Sequence, residues 1–366
     1  MDPLRIVFLD SWHPSAHEGS GTAVGISTLG RGLRDLGHHV EVLRPQAGPP
    51  TLRSRAAFNL RLPSLLRGRP SDDLVVGFDL DGWRWSASRP AASRYLVSLK
   101  GVAADEARFS RSGAERLLLS TLAAFERRNA ESADRVLVPS DYSARFIEGR
   151  YGIPRERIRI VPEPIEMTAW DELRGSAPLP PRRPTILSVA RQYPRKDTAT
   201  LLRAFPMVRR AVPAVHLRVI GGGPELPRLR AVARELRIED AVTFQGAIPE
   251  DEAVHRSYFE AHVFCLPSKQ EGFGIAFLEA MAAGLPIVAS RAGAVPEVVP
   301  DGGAGLLVPE GEPGPLAEAL IFLLRDGAAR ERMGAAGIRR AREFDLPKVA
   351  TNFLEATLPA TVGHAR

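Results

Sequence analysis

The chain of 366 residues is longer than one typical hydrophobic core supports and fits two domains of roughly 100 to 200 residues each. Its 44% hydrophobic and 25% charged residues exclude the disordered and fibrous classes, and a net charge of +6 permits an anionic partner without specifying one. No apolar run reaches the length of a membrane span and the start of the chain lacks a signal-peptide pattern, so we expect a cytoplasmic protein.

Short β-branched runs alternate with amphipathic stretches through the first half of the chain, which is typical of a parallel α/β sheet. The predicted strands read LRIVFL, HVEVL, DLVVGF, RYLVSL, DRVLVP and RIRIVP. Helices are predicted around 21–36, 113–130 and 141–150. A proline-rich segment that begins at Pro162 then interrupts the alternation and indicates a connection between domains.

A second series of the same kind follows this connection. Its predicted strands read TILSVA, VHLRVI, AVTFQG, HVFCLP and PIVAS, and its predicted helices lie near 197–211, 225–236, 272–283 and 315–325. We therefore predict an α/β protein with two Rossmann-like, doubly wound domains, residues 1–165 and 166–345. A last amphipathic stretch, within residues 346–366, is predicted to fold back on the first domain.

The loop after HVFCLP leads into a helix and carries the sequence KQEGFG. In open α/β sheets ligands bind beyond the carboxyl ends of the strands, where helix N-termini attract anions, and Gly272 and Gly274 would let a ligand approach the backbone. Glu271 lies in this loop and Glu279 roughly two turns into the helix, so two acceptors would face one cleft, as a sugar nucleotide requires. The alternatives are a helix-entry acid for Glu271 and a salt bridge to an arginine for Glu279.

Positive side chains follow the strand TILSVA at the same edge of the predicted sheet. Arg191 comes directly after that strand and Lys196 lies just before a helix, so together they would clamp a leaving diphosphate. Arg195 is a rival for either role. The alternative for Lys196 is ordinary helix-start chemistry, with Asp197 as the cap.

The first predicted strand is followed by a glycine-rich loop that enters a helix. Gly19, Ser20 and Gly21 lie at this loop and would face the cleft from the first domain. The triple glycine in VIGGGPELP has the wrong spacing for a dinucleotide fingerprint and indicates a tight turn.

Two acids in GFDLDGW have the D-x-D spacing by which single-domain sugar transferases hold a divalent metal. They are Asp79 and Asp81. Acid pairs at strand ends are common without a metal, and two doubly wound halves differ from the single-domain architecture. We assign no metal ligand and no cofactor, and keep a metal-dependent transferase that uses this pair as an alternative.

The stretch from Arg53 to Arg69 carries five arginines and no acid, interleaved with leucine and phenylalanine. A peripheral helix at a membrane surface is one interpretation and a solvated basic loop is the other. The sequence shows no zinc pattern, helix-turn-helix or aromatic RNA-binding motif, so we predict no nucleic-acid partner.

Several of these motifs occur together in one order. EGFGIAFLEAMAAGLPIVAS with its Glu-x7-Glu pair, ARQYPRKDTATLLRAF, VIGGGP, FQGAIP and the GSGT entry resemble the retaining glycosyltransferases of family four, over residues 4–345 and most strongly over 185–310. The resemblance implies the GT-B architecture, in which two Rossmann-like domains face a central cleft. The second domain would hold most of a nucleotide-sugar donor, with UDP or GDP as the nucleotide.

The resemblance also implies roles for individual residues. Arg191 and Lys196 would bind the diphosphate and Glu271 the hydroxyls of the donor sugar, and these three form the catalytic set. Glu279 would bind the ribose, and Ile248 in the FQGAIP loop the base. The other expected donor-binding residues are Gly19, Ser20, Gly21, Lys100, Gly272, Phe273 and Gly274.

The mechanism implied by the resemblance is front-face transfer with retained anomeric configuration. The acceptor hydroxyl attacks on the side from which the diphosphate leaves, and a phosphate oxygen takes the proton, so neither a metal nor a protein nucleophile is needed. The expected acceptor is a sugar, a lipid-linked molecule or a small molecule.

The sequence departs from the family pattern at two places. Many members carry a histidine after the strand that matches RYLVSL, where this chain reads Ser-Leu-Lys and ends at Lys100. Many also read Pro-Asn-Gly near the domain junction, where Glu163 stands here between two prolines. Because of the missing histidine, a noncatalytic protein that binds sugar nucleotides is the alternative function.

Overall fold

The computed structural model describes residues 2–12, 21–45, 51–70, 73–177 and 183–357. These residues form two sheets of six parallel strands, in the orders β2-β1-β3-β4-β5-β6 and β12-β11-β10-β7-β8-β9. The strands of the first sheet are β1 Arg5–Leu9, β2 His39–Leu43, β3 Leu74–Phe78, β4 Arg94–Ser98, β5 Arg135–Val138 and β6 Ile158–Ile160. Those of the second are β7 Thr185–Val189, β8 His216–Ile220, β9 Val242–Gly246, β10 Val263–Leu266, β11 Ile287–Ser290 and β12 Gly305–Val308.

Helices cover both faces of each sheet. In the first half they are α1 Gly21–Asp35, α2 Leu52–Leu65, α3 Trp83–Ser86, α4 Ala103–Glu106, α5 Gly113–Ser132 and α6 Asp141–Tyr151. In the second half they are α7 Met167–Ser176, α8 Thr198–Ala211, α9 Leu226–Glu235, α10 Asp251–Phe259, α11 Ile275–Ala282, α12 Val295–Val298, α13 Pro313–Arg325, α14 Gly327–Ala341 and α15 Leu346–Thr357.

The central strands are continuous apolar runs because they are buried on both faces. Every residue of β3 and of β10 is buried, whereas β2, at the edge of its sheet, is half exposed. One apolar cluster lies on each face of each sheet. The prediction of two Rossmann-like, doubly wound domains is confirmed.

Several helices differ from the sequence expectation. α11 begins at Ile275, three residues after the predicted start at 272, because Gly274 precedes it with a φ of +95°. The longer helices α7, α10 and α14 were not predicted, and neither were the four-residue helices α3, α4 and α12 or the strand β12. α7 lies in the segment that we interpreted as a proline-rich connection, and its Met167 and Trp170 are buried in the core of the second domain.

The last described helix, α15, packs against the first domain. Its Val349 and Phe353 lie in the same apolar cluster as Phe8 of β1 and Ile26 of α1. A Cβ at residue 32 of α1 would lie 2.5 Å from Leu346, so the glycine there permits the close approach. The end of α15 is held by hydrogen bonds from Arg94 and Arg135 to the carbonyls of its last two residues.

The carboxyl ends of the strands of both sheets border one cleft of about 620 Å³. Polar contacts join the domains around it. The carboxylate of Glu297 accepts hydrogen bonds of 2.7 Å from the backbone N–H groups of Asp141 and Tyr142, which begin α6. Arg195 pairs with Glu106 at 2.9 Å. Polar groups of both domains therefore form the border of the cleft.

Among the described residues, no helix is both long enough and apolar enough to cross a bilayer. The longest, α5, has 20 residues, but it carries charged residues near both ends.

Candidate functional site

The N-terminus of α11 lies in the cleft, next to the described start of α1. α11 starts after Gly274, where a side chain is excluded because a Cβ would lie 2.5 Å from the ring of Phe277. A Cβ at Gly21, the first described residue of α1, would lie 3.1 Å from Ile275, the first residue of α11. The free N–H groups of the first turn of α11 therefore lie beside α1 and favour an anion.

Glu271 lies in the loop just before α11 and is buried. It accepts hydrogen bonds from Lys196 Nζ at 2.7 Å and from Ser268 Oγ at 2.8 Å. Burial raises the pKa of Glu271, but the positive charges of Lys196 and Arg195 more than offset this, and the pKa lies below the ordinary 4.5. Glu271 is therefore the ion-pair partner of a buried lysine. The helix-entry alternative predicted no such partner.

The backbone of Glu271 is fixed as well as its side chain. Its carbonyl accepts a hydrogen bond of 2.9 Å from the N–H of Ala294. A Cβ at Gly293, where φ is +55°, would lie 2.5 Å from that carbonyl oxygen, so only glycine fits there. The position of the carboxylate is consequently set from both sides.

Lys196 reaches Glu271 from the loop that follows β7. Burial lowers the pKa of Lys196 from its ordinary 10.5, and the charge of Glu271 opposes this effect. The helix-start alternative for this loop is not what the structure shows. Asp197 precedes α8 in a left-handed conformation with φ +46°, and its side chain accepts from the Thr200 hydroxyl and caps no backbone N–H.

Arg191 lines the cleft without an anionic partner. Within the described residues no carboxylate pairs with its guanidinium, and its Nε is buried without a hydrogen-bond acceptor. Its nearest aromatic neighbour is Tyr193, at 5.8 Å from the guanidinium carbon to the ring centroid. Arg195, the rival, is used instead in the interdomain pair with Glu106.

Glu279 lies deeper along α11 and lines the same cleft. Among the described residues no arginine pairs with Glu279, in contrast to the alternative from the sequence. The Tyr258 hydroxyl donates to it at 2.5 Å, and His255 Nε2 lies 4.0 Å away. Burial raises the pKa of Glu279 above the ordinary 4.5, against the lowering effects of His255 and of the Tyr258 hydrogen bond. Sequence reasoning missed both partners, which lie on α10.

The other predicted donor-binding residues divide into three groups. Gly272, Phe273 and Ile248 line the cleft, and the Gly272 carbonyl accepts a hydrogen bond of 2.7 Å from Ser140 of the first domain. Lys100 also lines the cleft but pairs with Glu163, the residue that stands between two prolines at the domain junction. Gly19 and Ser20 lie outside the described residues.

The D-x-D pair is committed to hydrogen bonds within the protein. Asp81 accepts from the backbone N–H of Ser11 at 2.7 Å and from Asn59 at 2.9 Å, and Asp79 accepts from Trp12 Nε1 and from the N–H of Lys100, both at 2.8 Å. Burial raises the pKa of Asp79 to about 6. In the part of the chain that the structure describes, no group of three or more candidate ligands could hold a metal ion. The geometry thus gives the metal-dependent alternative no support.

Models of known protein families match both halves of the chain. A family model described as glycosyl transferases group 1 matches residues 170–340, and one described as a glycosyl transferase 4-like domain matches residues 20–164. The chain belongs to the family-four glycosyltransferases. The resemblance expected from the sequence motifs is therefore confirmed.

Curated relatives are similar to this protein over part of the chain. A GDP-mannose-dependent alpha-(1-6)-phosphatidylinositol monomannoside mannosyltransferase of Mycobacterium tuberculosis is 35% identical over 226 residues, 58% of each chain. A D-inositol 3-phosphate glycosyltransferase of Nocardia farcinica is 33% identical over 63% of this chain and 54% of its own. The match thus spans little more than half the length of these curated relatives.

A solved structure resembles nearly the whole chain. Sucrose-phosphate synthase from Thermosynechococcus elongatus superposes with a TM-score of 0.80, at 24% identity over 96% of this family-four chain and 98% of its own. At this identity the likeness shows the fold alone, which is the expected GT-B architecture of two Rossmann-like domains.

The two carboxylates of the cleft, Glu271 and Glu279, are expected to change the stability of the fold with pH in opposite directions. The folded-state pKa of Glu271 lies below 4.5, so its carboxylate stabilises the fold above that pH, and the effect is lost as the pH falls through the folded pKa. The folded-state pKa of Glu279 lies above 4.5, so Glu279 reduces stability as the pH rises from 4.5 through the folded pKa. We expect Glu271→Gln to lower the free energy of unfolding by about 3–5 kcal/mol at neutral pH, because Lys196 is left unpaired.

Urea denaturation from acid to neutral pH checks this expectation. The deficit of Glu271→Gln should shrink below pH 4.5, whereas Glu279→Gln should gain stability relative to the parent as the pH rises. The two variants control for each other, since both replace a carboxylate by an amide in the same cleft. Parallel pH profiles for the two variants would contradict the opposite pKa shifts of Glu271 and Glu279.

Proposed function

We propose that the chain transfers a sugar from a nucleotide diphosphate sugar, with UDP or GDP as the nucleotide, to an acceptor hydroxyl with retained anomeric configuration. The observation that carries this proposal is the meeting of Arg191, Lys196 and Glu271 in one cleft, beside the N-terminus of α11. Two cations and a helix N-terminus suit a diphosphate. The names of the curated relatives support a nucleotide-sugar donor, since one of them is dependent on GDP-mannose.

The donor would lie along the second domain. Arg191, without an ion pair of its own, would take a phosphate oxygen, and Lys196 would reach a second one from beside Glu271. Glu271 would accept a hydroxyl of the sugar. Glu279, held by the Tyr258 hydroxyl, would accept the ribose hydroxyls, and Ile248 would pack against the base.

In the transfer step, the bond between the anomeric carbon and the diphosphate oxygen breaks and a bond to the acceptor oxygen forms on the same face. The acceptor proton passes to an oxygen of the leaving diphosphate. Arg191, Lys196 and the N-terminus of α11 would stabilise the charge that develops on the diphosphate. Glu271 is engaged by Lys196 and Ser268, which favours a role in binding and orientation over one as a nucleophile.

Binding of the free nucleotide tests the donor site. Arg191→Met and Lys196→Met are each expected to weaken the binding of UDP or GDP by roughly 10- to 100-fold, because each removes a charge-assisted contact worth about 1.5–3 kcal/mol. Titration calorimetry measures the dissociation constants. The matched control is Arg209→Met, which removes an arginine that pairs with Asp240 at the far end of α8.

If neither nucleotide binds the parent, or if Arg209→Met weakens binding as much as the cleft variants do, the donor site is wrongly assigned. Binding without transfer and without slow hydrolysis of the donor would instead favour the noncatalytic alternative.

The stereochemistry and the metal requirement can be read from one reaction. With an α-linked donor we expect an α-linked first product, seen by proton NMR of the anomeric signal, and an unchanged rate in excess chelator. A β-linked product would exclude front-face transfer. Loss of activity in chelator that a divalent cation restores would support the alternative, a metal-dependent transferase that uses Asp79 and Asp81.

One wall of the cleft favours an acceptor with an apolar part. Leu118, Leu119 and Leu122 of α5 line it at helical spacing, together with Phe109. Leu117 beside them is 70% exposed. A sugar by itself would leave these side chains in water, whereas an acyl or isoprenoid chain would cover them. Among the expected acceptors, the wall thus supports a lipid-linked molecule.

Peripheral contact of residues 53–69 with a membrane is a further part of the proposal. α2 occupies most of this stretch, and α3 contacts both α2 and α5. Leu60 is 62% exposed. Two of the arginines are not available, because Arg55 is buried over the Trp12 ring and Arg69 pairs with Glu41. The contact would rest on the exposed Arg53 and Arg67 and on the exposed leucines.

Replacing leucines of the wall tests the acceptor class. We expect Leu118→Ser/Leu119→Ser to raise the KM for a lipid-linked acceptor by roughly tenfold, since each loses apolar contact worth about 1 kcal/mol, with little change for the same head group without its chain. Steady-state kinetics measure both. Phe322→Ser on α13, also an exposed apolar side chain, is the control. Equal effects on the two acceptors would remove the support for a lipid chain.

A further inference from the structure

The two places where the sequence departs from the family pattern touch each other in the structure. Lys100 Nζ lies 3.0 Å from each carboxylate oxygen of Glu163, and both side chains are only 4% exposed. The residues are 63 positions apart in the chain. A histidine and an asparagine at these positions would form no such ion pair, so the two departures act as one unit.

The pair lies at the reaction centre. Both residues line the cleft. The Lys100 carbonyl is 3.6 Å from where a Cβ of Gly272 would stand, next to Glu271. On the other side, Glu163 packs against α1, where a Cβ at residue 25 would lie 2.3 Å from Oε2, so that a larger residue there would displace the carboxylate. The pair is thus held between the N-terminal parts of α1 and α11.

The hydrogen bonding of the pair is incomplete. Glu163 Oε1 is buried and accepts no hydrogen bond from the described residues, and Lys100 Nζ donates only to Glu163 Oε2 among them. An ammonium group has three donors, and a carboxylate accepts at both oxygens. Buried charges are costly unless such capacity is filled. A ligand that both donates and accepts would fill it.

We propose that Lys100 and Glu163 together bind two neighbouring hydroxyls of the donor sugar and determine which sugar is accepted. The inference rests on the proposed function and adds a specificity pair to it. One hydroxyl would accept from the ammonium and the next would donate to Glu163 Oε1. Because the two charges cancel, the pair adds no net attraction for the diphosphate. Their fixed spacing distinguishes sugars that differ in the direction of one hydroxyl.

The test compares nucleotides with and without a sugar. The probes are UDP, UDP-glucose and UDP-galactose, and GDP, GDP-mannose and GDP-glucose, so that each base carries a pair of epimers. The variant Lys100→Gln/Glu163→Gln removes both charges and keeps the side-chain size. We expect roughly 10- to 100-fold weaker binding of the preferred sugar nucleotide, a reduced preference between epimers, and less than about twofold change for the free nucleotide.

The matched control is Arg209→Gln/Asp240→Asn, which neutralises an ion pair remote from the cleft, with side chains 34% and 65% exposed. A second variant, Lys100→Met/Glu163→Leu, covers the case in which the amide pair does not fold, since apolar replacement of a buried ion pair often leaves stability unchanged. Thermal unfolding verifies both folds.

Equal losses for the free nucleotide and the sugar nucleotide would overturn the proposal, because they would place the pair at the diphosphate. Unchanged affinity and epimer preference would also overturn it. If the parent binds the free nucleotides but the cleft pair has no effect on sugar recognition, only this inference fails. If the parent binds none of the six probes, the proposed function fails with it.

Discussion

The buried ion pair between Lys196 and Glu271 is the interaction on which the rest of the cleft depends. A carboxylate at this depth is costly unless an opposite charge and hydrogen bonds compensate it, and Lys196 and Ser268 supply both. The pair joins the loop after β7 to the loop after β10, which are neighbouring strands. It therefore sets the distance between the cation that would meet a phosphate and the first turn of α11.

The first domain completes this site through polar groups. Glu297 caps α6, Arg195 pairs with Glu106, and the Ser140 hydroxyl binds the Gly272 carbonyl. Water can replace such contacts at small cost, whereas the four apolar clusters lie within the domains around their own sheets. The contacts between the domains at the cleft are thus polar and lie apart from the apolar cores.

Local patterns predicted most elements because their signals are local. α8 and α13 each present an apolar stripe, and the buried strands are apolar throughout. α14 was not predicted because glycines form much of its contact with α11 and with the turn that follows α11. A Cβ at Gly334 would lie 2.2 Å from the carbonyl oxygen of Gly284, and one at Gly337 would lie 3.3 Å from Met281. Close backbone packing of this kind leaves no apolar periodicity to read.

By itself the sequence determined the two-domain α/β architecture, the family and the placement of the charged site residues at the ends of strands. Only the tertiary structure decided which groups those residues meet. It pairs Glu279 with Tyr258 rather than with an arginine, and it brings Lys100 to Glu163. The physical reason is that a buried charge is stabilised by groups near it in space. Those groups come from elements far apart in the chain, and no local pattern records their distance.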